Sequence, residues 1–213
     1  ASNYTLAFTP GVLFTIATKD ASTLTIADIA PLTYNGTAQT PEPEVKDGAT
    51  VLEAGTHYTL SYADNTNAGI ATVTVTGSGD YSGSINTTFA ITKATITVTP
   101  VAGQSKVYGA DDPVLTFTAT GAIAGQTPVF TGALTRAAGE TLGTYAISQG
   151  GLLLADNGAF KASNYTLEFN PGVLFTIAAK DASHLTIAAI AERAYTGLAQ
   201  TPTPEVKDGD TVL

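Results

Sequence analysis

His57 and His184 are the only two histidines in the chain, and histidine is the side chain whose ordinary titration falls between pH 5 and 8. Neither stands in a pattern that would use an imidazole. His57 lies in the turn-like run Gly55-Thr56-His57-Tyr58, and both histidines read as solvated surface residues rather than as bases or ligands. The chain has no Cys, so a thiol nucleophile is excluded, and neither a nucleophile elbow nor a His-rich metal spacing is visible. The pair Asp111-Asp112 in the Gly109 to Pro113 loop, together with Asp20 and Asp181, offers hard oxygen ligands of the kind Ca2+ takes. Against this, a loop Asp commonly bonds its own backbone in a turn. Tyr34, Tyr58, Tyr62 and Tyr81 would stack on a sugar if they shared one face, although core or edge packing is the expected use of their rings. An amide bond from Lys106 or Lys93 to an Asn would need a catalytic acid beside it, and no spacing supplies one. The Asn-x-Thr triplets at Asn3, Asn35, Asn86 and Asn164 accept glycans only in a host with that machinery. No catalytic, cofactor-binding or metal residue is therefore assigned, and an enzyme is not expected. Ca2+ is the one cofactor left open.

Charge narrows the partners. Nine basic residues face 18 acidic ones, a formal net charge of -9, whereas nucleic-acid binding needs clustered Lys and Arg. The same balance disfavours anionic membrane surfaces. The longest apolar runs, such as Gly151 to Ala155, fall far short of the roughly 18 to 20 residues needed to span a bilayer. Without cysteine there is no disulfide framework, and the redox compartment stays open.

The elements that would position any site are strands. Ala71 to Thr76 alternates Ala and Val with Thr, and Ala94 to Thr99 does the same, the period of a half-buried strand. Further strands are expected at Leu24–Ile29, Tyr58–Tyr62, Ile85–Ile91, Val114–Ala119, Thr144–Ser148 and Tyr165–Phe169. Asn170-Pro171-Gly172 and its earlier counterpart Thr9-Pro10-Gly11 read as hairpin turns, because Pro presets φ and Gly accepts a positive one. Lys46 to Gly48, Asn65 to Gly69 and Gly77 to Asp80 punctuate the rest. No amphipathic helix is evident, and Leu134 to Leu142 could hold at most a short turn.

An internal repeat organises these strands. The run ASNYTLAFTPGVLFTIATKDAS from Ala1 returns from Ala162 as ASNYTLEFNPGVLFTIAAKDAS, and the likeness continues to the end of the chain at an offset of 161 residues. That period exceeds the 20 to 50 residues of a solenoid repeat, so each period should hold whole domains, two by best fit. Between the copies, Pro10, Gly11, Val12, Leu13, Phe14 and Ile16 are unchanged, while Leu32 becomes Arg193.

Two domain types separate within the period. Ser22 to Lys93 carries Y-x-G-x-x-Q-x-P, V-K-D-G, G-x-x-Y-x-x-x-Y-x-x-N-x-x-x-G and G-x-Y-x-G before a closing F-x-I strand. It resembles a β-repeat common in bacterial surface proteins. Ala94 onward carries KVYGADDPVLTFTATG, LTRAAGETLGTYAI and NYTLEFNPGVLFTI, with Tyr108-Gly109 and the block from Arg136 to Tyr145 its most recognisable parts. It resembles the YGX-type MBG domain found in tandem in large adhesins. The expected boundaries are 1–21 for the closing hairpin of one MBG domain, 22–93 for the surface β-repeat, 94–182 for an MBG domain and 183–213 for the opening part of a second surface β-repeat. Both motif sets are specific for domain type and weak for activity.

The expected fold class is all-β, tandem small domains that are sandwich-like, or in the alternative β-grasp-like, joined end to end. The junctions, with only Thr92 to Ala94 between two strands in one case, are too short and too poor in Gly and Ser to act as flexible coil. Strands of about 7 to 10 residues at roughly 3.3 Å each give about 25 to 35 Å per domain. The resemblance then implies a non-catalytic stalk module of a repetitive adhesin or fibre, secreted to the bacterial surface or matrix. Its partners would be neighbouring repeats, with host or matrix glycans met through domains outside this chain. The alternatives are a glycan-binding module and a filament subunit. The partial domains at both ends would expose strand edges, so either the polypeptide continues in both directions or a neighbouring chain completes them by strand addition.

Overall fold

The computed structural model describes Gly11 and residues 15–213. The expected hairpin around Thr9-Pro10-Gly11 therefore lies almost wholly outside the described residues. The fold is all-β, with 43% strand and 4% helix, and among the described residues there is no helix of 7 or more residues. The helical fraction is three single 3-10 turns at Ala21–Thr23, Ala162–Asn164 and Ala182–His184, which periodicity did not anticipate. Leu134 to Leu142 holds no helical turn, and a short strand, Thr135–Arg136, occupies part of it.

The chain divides into two compact units. One holds the residues through Val98 together with Ala119–Thr131 and Leu153–Glu168. Its main sheet has four strands in the order Leu32–Thr33, Ser84–Thr92, Gly69–Gly77 and Tyr58–Ala63. Leu32–Thr33 runs parallel to Ser84–Thr92, and the other two pairings are antiparallel. Alternation does what the sequence predicts: Ala71, Val73 and Val75 are fully buried on one face, while Thr72, Thr74 and Thr76 take the other. Burying each such Val contributes roughly 1.5 to 3 kcal/mol. A three-stranded sheet of Thr25–Ile26, Val45–Asp47 and Thr50–Val51 encloses a smaller core with Ala21, Leu24, Leu52, Tyr58 and Val75.

The larger core joins segments distant in sequence. Tyr34, Ala71, Val73, Phe89 and Ile91 pack with Ala94, Ile96, Phe160 and Tyr165 in a single buried cluster. Only Lys93 separates the strand Ser84–Thr92 from Ala94–Pro100, and the core runs without interruption across that point.

The other unit holds Thr99–Thr118, Gly132–Leu152 and Phe169–Leu213. Its sheet has the order Ser105–Val107, Leu174–Ala178, Gly143–Ser148 and Thr135–Arg136. Ser105–Val107 is parallel to Leu174–Ala178, and the remaining pairs are antiparallel. Leu134, Ile147, Leu152, Phe175 and Ile177 are its buried apolar residues.

The turn Asn170-Pro171-Gly172 corrects an expectation. It does not close a hairpin, because the flanking strands enter different sheets: Tyr165–Phe169 joins Ala94–Pro100, whereas Leu174–Ala178 lies between Ser105–Val107 and Gly143–Ser148. Pro171 and Gly172, with φ of +106° at Gly172, supply a corner instead. The reason lies in the partners available. Leu174–Ala178 finds hydrogen-bonding strands on both sides, which a two-stranded hairpin with Tyr165–Phe169 would not provide.

Candidate functional site

Four charged side chains from two strands and two loops meet in one cluster. Lys106 comes from Ser105–Val107, Arg136 from Thr135–Arg136, Asp112 from the loop that follows Lys106 and Glu140 from the loop that follows Arg136. The two cations are buried, with side chains 5% and 7% exposed, while the carboxylates face outward. Lys106 Nζ donates to Glu140 Oε2 at 2.5 Å and lies 2.7 Å from Asp112 Oδ1. The Arg136 guanidinium forks onto Asp112, Nε to Oδ2 at 2.7 Å and Nη2 to Oδ1 at 2.9 Å, and reaches Glu140 Oε1 at 2.6 Å. Its Nη1 donates to the carbonyls of Ala137 and Gly139.

Burial of a Lys and an Arg requires full pairing, since an uncompensated buried charge costs several kcal/mol. Here both cations have it. Arg136 also lies over two rings, 5.0 Å from the centroid of Tyr145 and 5.3 Å from that of Phe175. Gly139 makes this fold-back possible: its φ is +143°, and a Cβ there would overlap Cε1 of Tyr145. The spacing R-x-x-G-E is thus a loop wrapped round its own arginine.

The same contacts set the protonation states. Arg136 first, then Lys106, hold the Asp112 carboxyl down to about 2. Lys106 and Arg136 lower Glu140 likewise, and the hydrogen bonds to Asp112 and Glu140 raise Lys106. Attack of an amine on a carboxyl needs the neutral amine and the protonated acid, so this arrangement opposes amide formation at Lys106 and stabilises an ion pair. Lys93, the other lysine considered for that chemistry, is exposed.

A second polar cluster ties distant segments together. Gln126 Nε2 donates to the Tyr34 hydroxyl at 2.8 Å, and the Tyr165 hydroxyl donates to Gln126 Oε1 at 2.7 Å. The Ile123 amide donates to the same Tyr165 hydroxyl at 3.3 Å. Phe160 stacks on Tyr165 at 4.7 Å. Gly36 lies against Ile123, where a Cβ would come within 2.9 Å of Cγ2, so the Y-x-G spacing keeps the approach clear. Nearby, Asn164 is 1% exposed: its Oδ1 accepts from the Ala68 amide at 2.9 Å and its Nδ2 donates to Asn67 Oδ1 at 3.0 Å.

Residues 96–176 match the family described as MBG domain (YGX type). All four charges of this cluster, a clasp of two cations on two carboxylates, lie inside that match, as do Gln126, Asn164 and Tyr165. MBG is a non-catalytic, repeat-type family, and MBG domains occur in surface proteins. No curated protein and no solved structure matches the chain. No helix among the described residues is long and apolar enough to cross a membrane.

Several of the other residues singled out from the sequence have local partners. His57 Nδ1 accepts from the Glu53 amide at 3.1 Å, and His184 ends a 3-10 turn. Asp20 and Asp181 each cap such a turn, accepting at 2.9 Å from the amides of Ser22 and Ser183. Asp112 enters the clasp, and no group of three or more His, Cys, Asp or Glu among the described residues could hold a metal. The four tyrosines divide between cores: Tyr34 and Tyr62 belong with the larger, Tyr58 and Tyr81 with the smaller. Asn35 accepts from Thr37, Asn86 is exposed on its strand, and Asn3 lies outside the described residues. The sequence marks Lys106 and Asp112 separately and does not show that they share a clasp with Arg136 and Glu140. The available signal is an Arg and a Glu as the only charged residues of the motif from Arg136 to Tyr145.

Proposed function

We propose that this chain is a structural spacer of an extracellular repeat protein, an element of a bacterial surface stalk whose residues act by packing rather than by chemistry. The observation that carries the reading is the apolar core continuous from Tyr34 and Phe89 through Ala94 to Phe160 and Tyr165. Hydrogen bonds from Gln126 to Tyr34 and from Ala68 to Asn164 close over it. A core with one intervening residue, Lys93, resists the bending that a Gly/Ser linker would permit.

Arrays of one, two and three 161-residue periods, compared by small-angle scattering, test the proposal. A rigid spacer grows in maximum dimension in proportion to the number of periods. Growth near the square root of that number, the behaviour of flexibly joined beads, would refute it.

A further inference from the structure

In the MBG domain the strand Ser105–Val107 lies parallel to the last strand, Leu174–Ala178, with Ser105 opposite Thr176, Lys106 opposite Ile177 and Val107 opposite Ala178. Backbone bonds extend the pairing at both ends: the Thr176 amide donates to Gln104 O at 3.1 Å and the Tyr108 amide to Ala178 O at 2.8 Å. Tension drawn in from the side of Ser105 and out past Ala178 pulls these strands in opposite directions along their length. Every bond of the ladder then carries load together, since parallel bonds are evenly spaced. An antiparallel pair pulled from its adjacent ends opens one bond at a time.

We infer that the Ser105–Val107/Leu174–Ala178 pair is a load-bearing clamp, and that the four-charge cluster is its lock. Lys106 sits in the middle of the short strand, and its ammonium is fixed to Asp112 and Glu140. Arg136, held by the same carboxylates, lies over Phe175 of the opposite strand. Sliding one strand past the other must break the ladder and carry Lys106 away from its buried pairing. Contacts that must break before the barrier is crossed set the rate of forced unfolding. The preceding module repeats the relation with unrelated residues: Leu32 and Thr33 lie parallel to Ile91 and Thr92, extended by the Tyr34 amide donating to Thr92 O at 2.8 Å.

This inference deepens the spacer reading and rests on it for the source of tension. The chain has no native cysteine, so paired substitutions define a pulling axis in the full chain. Ala102→Cys with Ala179→Cys loads the clamp in shear. Leu142→Cys with Ala179→Cys loads the antiparallel neighbour, whose Gly143 is opposite Ile177, from adjacent ends. Single-molecule pulling should give a several-fold higher unfolding force on the first axis, and equal forces overturn the clamp. Lys106→Met should lower the first force by a larger fraction than the second; equal fractional losses overturn the lock. If Lys106→Met does not fold, Glu140→Gln serves for the lock, and the comparison of axes still decides the clamp. A flexible array with a strong first axis sinks the spacer alone, whereas a straight array with equal axes sinks the clamp alone.

Discussion

Tyr34 and Tyr165 meet edge to face with ring centroids 5.5 Å apart, and the single side chain of Gln126 bonds both hydroxyls. The three groups therefore form one unit, and removing any member leaves another polar atom unpaired in a half-buried site. Tyr165→Phe should cost about 1 to 3 kcal/mol by urea unfolding. Combined with Gln126→Leu, the loss should fall well short of the sum of the two single losses, because both changes break the same bonds. Additive losses would mean that the tyrosines pack independently.

Asn164→Ala removes the acceptor of the Ala68 amide and the donor to Asn67. The expected destabilisation is again about 1 to 3 kcal/mol, the cost of a buried polar group left unpaired. Hydrogen exchange at Ala68 should accelerate beyond the change in global stability. An unchanged Ala68 amide would place that bond outside the folded state's needs.

The clasp predicts acid sensitivity. Asp112 and Glu140 are held below their unfolded values, Asp112 at about 2, so they contribute stability above the unfolded carboxyl range and lose it as the pH falls. Melting temperature should decline from about pH 5 towards pH 2, with Asp112→Asn less stable at neutral pH and flatter below it. Parallel curves for the two proteins would remove Asp112 from the transition. Lys106, held above its ordinary value, acts in the opposite sense: its contribution is complete below the unfolded lysine range and is lost as the pH rises through its folded value.

Lys106 should remain a free amine. Intact mass of the folded protein is expected to equal that of the linear chain. A species lighter by one water, located by digestion to Lys106 and a carboxylate, would show that the ionic arrangement does not prevent amide formation.

Gly139→Ala tests the loop that folds back on Arg136. A φ of +143° and the overlap with Tyr145 act together, and strain of this kind costs about 1 to 3 kcal/mol. A drop of several degrees in melting temperature is expected, with the four-charge cluster loosened in the same variant. A neutral substitution would show that the loop has room to shift.

What the sequence determined by itself was local. Alternation placed a strand at Ala71 to Thr76, inside the observed Gly69–Gly77, the strand pattern placed Tyr165–Phe169, and the 161-residue offset carried contacts within short range from one copy to the next. Lys19 pairs with Asp47 and Lys180 with Asp208; Gln39 donates to Thr33 O and Gln200 to Ala194 O. These bonds span fewer than 30 residues, so repeating the residues repeats the bonds. Only the tertiary structure decided which sheet each side of Asn170-Pro171-Gly172 enters, that Lys106 and Arg136 share their carboxylates, and that one core crosses Lys93. Tyr34, 4% exposed, makes the distinction plain. Strand period and turn chemistry are written in a few neighbouring residues, whereas burial depends on partners such as Gln126 and Tyr165, which stand about as far from Tyr34 along the chain as a whole domain is long.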